Sequence, residues 1–118
     1  MGEDRVNPIR ITDNKTGDVY ELDFNREAVY MMDRDGFRIE DVATFPATNV
    51  PKLFYYAFRK NHRKMTKAQT DKMLRDVLHG LTPAMLERLV LLYSQVATSD
   101  NVQDDEDLEK NAAVTVEM

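Results

Sequence analysis

Apolar and polar residues alternate through Ile9, Arg10, Ile11 and Thr12, and again over residues 19–24, where Val19, Tyr20, Leu22 and Phe24 stand out. A period of two is that of a half-buried strand. Asp13, Asn14, Lys15, Thr16, Gly17 and Asp18 lie between the runs and nearly all favour turns, so the two strands are predicted to form a β-hairpin. A two-stranded ribbon is marginal alone and needs a second layer over its apolar face. Asn25 then reads as a helix N-cap and Gly36 as the left-handed residue that stops the helix. Between them, residues 26–35 carry Ala28, Val29 and Met32, with Met31 beside them, at helical spacing. Phe37 and Ile39 alternate with Arg38 and are expected to fold back onto the core.

Pro46 and Pro51 frame an expected loop, after which a second helix is predicted from Val50 or Pro51 to about Asn61. Leu53, Phe54, Ala57 and Phe58 form its stripe, widened by Tyr55 and Tyr56. Thr66 followed by Gln69 is a capping-box pattern that opens a third helix with Met73, Leu74, Val77 and Leu78, stopped by Gly80. Thr82 and Pro83 open the fourth, whose residues 85–97 are the longest apolar stretch of the chain. The expected architecture is α+β: an N-terminal β-hairpin packed on a bundle of about four helices. Residues 1–8 are expected to be a flexible N-terminus, 9–98 one domain, and 99–118 a disordered acidic tail too polar to repay the entropy of ordering. The last residues, with Val114 and Val116 alternating, read as a short segment able to pair at a sheet edge.

A chain of 118 residues suits a single hydrophobic core. Its 42% hydrophobic and 31% charged residues are ordinary for a soluble domain, and a net charge of -5 disfavours nonspecific nucleic-acid binding. That net value hides an asymmetry. Over residues 52–75, Lys52, Arg59, Lys60, Arg63, Lys64, Lys67, Lys72 and Arg75 face a single acid, Asp71, whereas Asp100, Asp104, Asp105, Glu106, Asp107, Glu109 and Glu117 face only Lys110 in the tail. The two segments are of opposite sign and can attract each other. The absence of cysteine excludes disulfides and thiolate chemistry and fits a reducing compartment. The N-terminus has no apolar core of signal-peptide length and no run approaches a membrane span, so a cytoplasmic location is expected.

Little in the chain promises catalysis. The two histidines, His62 and His79, stand alone near expected helix ends, and the carboxylates Asp33 and Asp35 or Asp104 to Asp107 lack convincing metal-ligand spacing. Gly2, Gly17, Gly36 and Gly80 compose no phosphate-binding loop, and Ser94 and Ser99 no nucleophile elbow. No catalytic residue, cofactor or metal is therefore expected. Arg59, Lys60, Arg63 and Lys64 follow Tyr55, Tyr56 and Phe58, a mixture of cations and aromatics that can bind single-stranded nucleic acid. Cations at the end of a helix are also explained by its macrodipole. In the fourth helix Met85, Leu89, Leu92 and Val96 define one face, yet Leu86, Val90, Leu91, Tyr93 and Ala97 spread apolar surface around most of the circumference. Either the helix is central to the bundle, or part of it docks against a partner or a second copy.

The run YELDFNREAVYMMDRDGFRIEDV followed by VPKLFYYAFRKNH resembles a family of small proteins of tailed phages and prophages of Gram-positive bacteria that look like tail assembly chaperones. The recurring pattern is an opening hairpin, then Phe24, Asn25, Arg26 and Glu27, then Met32, Gly36, Phe37, Ile39, Glu40 and Asp41, and then Leu53, Phe54, Ala57, Phe58, Lys60, Asn61 and His62. It covers residues 9–93 and leaves the tail outside. The resemblance implies a non-enzymatic protein of the host cytoplasm that coats the tape measure protein, and contacts the major tail protein, while the tail tube polymerises.

The expected function is thus binding, with self-association and with Tyr55, Tyr56, Leu86, Val90, Leu91 and Tyr93 forming the partner surface. Two alternatives stand beside it. One is a structural virion component, a tail or head-tail connector subunit, whose hairpin or C-terminal segment adds to a neighbour's sheet. The other is a nucleic-acid-binding phage protein using Arg59, Lys60, Arg63 and Lys64.

Overall fold

The computed structural model describes residues 5–99. In chain order these form β1 (Ile9–Thr12), β2 (Val19–Leu22), α1 (Arg26–Arg34), α2 (Asp41–Thr44), α3 (Pro46–Tyr56), α4 (Lys67–Lys72) with a π-helical turn (Met73–Val77) continuing it, and α5 (Pro83–Ser99). The fold is α+β, a two-stranded antiparallel hairpin followed by helices. The acidic tail and the Val114 and Val116 segment lie outside the described residues.

The hairpin forms where the alternation places it. Ile9 lies opposite Leu22 and Thr12 opposite Val19, and Asp13 closes the turn by donating its N–H to the Asp18 carbonyl at 2.8 Å. Ile11 and Leu22 face inward and are buried. The N-cap of α1 is Asn25, whose side chain accepts from the Ala28 N–H at 2.9 Å. The helix ends in a Schellman pattern: Phe37 N–H donates to Met32 O at 2.9 Å and Gly36 N–H to Asp33 O at 3.0 Å, with Gly36 at φ +86°. That turn delivers Phe37 into the core, 4% exposed.

Three boundaries differ from expectation, and the short helix α2 stands where none was predicted. Residues 46–51 are helical and form the first half of α3, with Pro46 at a position that needs no donor and Pro51 inside the helix. The buried Asn49 anchors this start, its Nδ2 donating to the carbonyls of Phe45 at 2.9 Å and Asp41 at 3.4 Å. The other end of α3 stops at Tyr56 instead of Asn61, because the chain tightens into successive short turns from Ala57 to Arg59. The N-terminal boundary also shifts. Val6 exchanges two hydrogen bonds with the Gln95 side chain, at 2.9 and 3.4 Å, and Arg88 donates to Asn7 O at 3.2 Å, so the packed body begins before Ile9. Residues 1–4 lie outside the described residues.

The tightened end of α3 covers the outer edge of β2. Asp23 N–H donates to Ala57 O at 3.0 Å, Glu21 N–H to His62 Nε2 at 2.9 Å, and Asn61 Nδ2 to Glu21 O at 3.2 Å. Lys60 Nζ meets the buried Asp23 carboxylate at 2.7 Å, while the other Asp23 oxygen accepts from the Phe24 N–H. Tyr20, Phe58 and His62 stack edge to face over this seam. Residues 57–62 thus supply the partners that a third strand would otherwise provide.

The helix α5 is central. It packs against α1, α3 and β1, and its Leu89 and Leu92 are fully buried beside Leu22, Phe24, Met32, Leu53, Phe54 and Phe58. Each such side chain contributes ~1.5 to 3 kcal/mol by leaving water. The capping box of α4 is present as predicted, Thr66 Oγ1 accepting from Gln69 N–H at 3.1 Å and Gln69 Oε1 from Thr66 N–H at 2.8 Å. Its continuation is π-helical, with Leu78 N–H reaching back to Met73 O.

Replacing Lys60 with alanine leaves Asp23 buried without its counter-charge and should lower the unfolding free energy by ~1 to 3 kcal/mol in denaturant titrations. The exposed Lys64, four residues on, should change it by less than ~0.5 kcal/mol when replaced in the same way.

Candidate binding surface

The sequence-predicted binding residues separate into two groups. Tyr93 and Tyr56 are core. Tyr93 is 7% exposed, its ring held edge-on between Phe24 and Phe37 at centroid distances of 5.9 Å each. Burial, then Asp33 and Glu40, push its phenol above the ordinary range. Tyr56 is 8% exposed and its hydroxyl donates to Asp35, which ties α3 to the end of α1. Neither offers an open face to a partner. A helix whose buried arc is wide absorbs positions that a narrow stripe leaves out, and Tyr93 follows Leu92 on the same side of α5.

The remaining four do not compose one face. Leu86 and Val90 are half-buried against the core on one side of α5, as Tyr55 is on α3, whereas Leu91, 46% exposed, stands on another side. That side also carries Arg88 and Gln95, which hold the N-terminal segment. Sequence reasoning missed Tyr30, 65% exposed on the outer face of α1, beside a groove of about 690 Å³ lined by Arg26, Glu27, Val29, Tyr30 and Asp33. An aromatic residue on the polar face of an otherwise amphipathic helix was the available signal. Phe45 at 60%, Val77 at 51% and Val19 at 46% are also open, scattered over other elements.

The basic run divides as well. Lys60 is paired with Asp23, and Arg63 Nη2 meets Glu27 at 2.6 Å. Arg59 is half-buried, with Nη2 3.8 Å from Met31 Sδ and Nη1 3.5 Å from Arg63 O. Lys64 is exposed. Two of the four cations are therefore held in ion pairs that fasten the α3 end to the hairpin and α1, which weakens them as a nucleic-acid patch.

A second groove, of about 720 Å³, runs between α3 and the α4–π segment, with Pro51, Lys52, Lys67, Asp71, Leu74, Arg75 and His79 among its walls. Lys67 bridges to Asp71 at 2.9 Å within it. Among the described residues no group of three or more His, Asp and Glu side chains is placed to hold a metal ion, and no helix is long and apolar enough to cross a membrane.

These features define a small α+β domain with a clipped hairpin and a central helix. The chain belongs to the family described as a domain of unknown function, DUF5055, whose profile matches residues 1–118. No curated protein and no solved structure matches it.

Burial, reinforced by the Asp35 carboxylate, pushes the Tyr56 phenol up from its ordinary value near 10 to about 12. The neutral phenol is thus the form the fold prefers. Its stabilising contribution is complete below pH ~10 and is lost as the pH rises through about 12. An absorbance titration should show a late phenolate step near pH 12 that is missing in Tyr56→Phe.

Proposed function

We propose that this protein is a tail assembly chaperone of tailed phages or prophages, which self-associates and holds apolar helical segments of a tape measure protein. The observation that carries the reading is the apolar surface that α5, the helix at the centre of the fold, leaves in water: exposed Leu91 on one side, and half-buried Leu86 and Val90, one turn apart, on another. Apolar helices laid against these sides would bury side chains that α5 leaves partly in water, each worth up to ~1.5 to 3 kcal/mol. The resemblance supports the same reading. Its recurring residues are the pieces that build the scaffold: the Asn25 cap, the Gly36 stop, the Phe54 and Phe58 core and the Lys60, Asn61 and His62 clip. Host cytoplasm would be its place of action.

A structural virion subunit is the second reading, favoured by one observation. Glu21 turns its backbone groups outward from β2, so antiparallel pairing turns those of Arg10 and Thr12 outward from β1, where no described residue bonds to them. A neighbour's strand could add there. Purified particles separate the two readings, since a chaperone is absent from finished tails and a subunit is present at fixed stoichiometry.

Coexpression with the tape measure protein encoded beside it should raise the soluble yield of that protein several-fold. Leu91→Asp should abolish the rescue while changing the unfolding free energy by less than ~1 kcal/mol, because Leu91 lies outside the core. A wild-type chain that gives no rescue rejects the chaperone reading.

A further inference from the structure

The basic run of the middle of the chain is only partly used by the fold. Lys60 and Arg63 close the seam between α3, the hairpin and α1. Lys52, Lys67 and Arg75 instead gather around the groove between α3 and the α4–π segment, with His79 at its end and Asp71 as the one acid in its wall. Lys52 and Arg75 are exposed and Lys67 is half-exposed; Arg75 meets Asp76 at 3.1 Å and Lys67 meets Asp71 at 2.9 Å, water-exposed pairs with which an acidic segment competes. Ala47, Pro51 and Leu74 add apolar wall between the charges. A concave surface of this composition takes an extended acidic segment with an occasional apolar side chain: the cations meet carboxylates, and the aliphatic stretch meets a leucine or valine.

The same chain carries such a segment. Residues 100–109 read DNVQDDEDLE, with Asp100, Asp104, Asp105, Glu106, Asp107 and Glu109 around Val102 and Leu108. We propose that this segment docks in cis into the basic groove between α3 and the α4–π segment. Reach permits it. The 17 residues of α5 span ~25 Å, and the groove lies near the start of that helix, where Gly80 lines its wall. Ten residues beyond Ser99 cover up to ~33 Å when extended, enough to return along α5 and bring Asp107 and Glu109 to the near end of the groove. Tethering supplies millimolar effective concentration, so weak pairings of exposed charges suffice to populate the contact. The segment then acts as a tethered competitor for any acidic partner of the groove. This inference is independent of the chaperone reading, because it concerns a surface on the α3–α4 side and a ligand carried by the chain itself.

The chain has no cysteine, so a single one introduced by Asp105→Cys labels the segment cleanly with a nitroxide. In the full-length protein at low salt, the amides of Ala47, Thr48 and Leu74 should lose half or more of their NMR intensity, while those of the hairpin turn at Lys15 and Thr16 keep theirs. The loss should vanish when salt is raised from ~0.01 M to ~1 M, which shortens the screening length from ~30 Å to ~3 Å. It should also vanish in Lys52→Glu/Arg75→Glu, whose remote amide shifts report an unchanged fold because both side chains are exposed. Full intensity at the groove amides at low salt overturns the proposal. So does broadening that survives the charge reversal, or that appears undiminished when labelled and isotope-enriched chains are separate molecules, since the contact is then not this groove or not in cis.

Discussion

The outer edge of a two-stranded sheet sets the terms for everything else in this fold. A hairpin of four-residue strands has two edges and one apolar face, and it cannot stand alone in water. The face is covered by α5 and its neighbours. The β2 edge is covered by backbone and side chains of residues 57–62, which satisfy Glu21 on both its N–H and its carbonyl and bond the Asp23 N–H. That seam fixes where α3 ends. A helix continuing regularly to Asn61 would commit the Ala57 carbonyl to its own ladder, whereas here it receives the Asp23 N–H. Electrostatics lock the same place, since a buried carboxylate at Asp23 is tolerable only while Lys60 sits 2.7 Å away.

His62 has a defined structural role in this arrangement. Its Nε2 accepts from the Glu21 N–H at 2.9 Å, which makes the ring a side-chain acceptor for the β2 edge. The aromatic edges of Tyr20 and Phe58 hold the ring in place. A histidine that reads in isolation as a charge at a helix end is instead a backbone acceptor for a strand some forty residues earlier.

The local features were legible from the chain because their causes are local. The hairpin alternation, the Asn25 cap, the Gly36 Schellman turn and the Thr66 capping box each involve residues within a few positions of one another. The seam was not legible, because Lys60 and Asp23 are 37 positions apart and His62 and Glu21 are 41, and nothing in either segment announces its partner. Pro46 and Pro51 pointed to a loop because proline punctuates chains, yet one begins α3 and the other is carried within it. Tyr56 and Tyr93 read as partner-surface residues because a polar hydroxyl on an apolar body fits a surface or a core, and only the neighbours Asp35, Phe24 and Phe37 decide. Of the expected binding surface, Leu91 stands open and Leu86, Val90 and Tyr55 stand half-open, while Tyr30 joins the exposed apolar positions without having been foreseen.

Whether residues 57–62 close the β2 edge as a strand would is open to direct measurement by native-state hydrogen exchange. Glu21 and Asp23 donate outward into the seam, whereas Arg10 and Thr12 face outward from β1 without a partner among the described residues. A closed edge means that the Glu21 and Asp23 amides exchange only through global unfolding, at the rates of core amides such as Phe54, while Arg10 and Thr12 exchange orders of magnitude faster. Glu21 and Asp23 exchanging as fast as Arg10 and Thr12 would show that the edge is open and the seam no substitute for a strand.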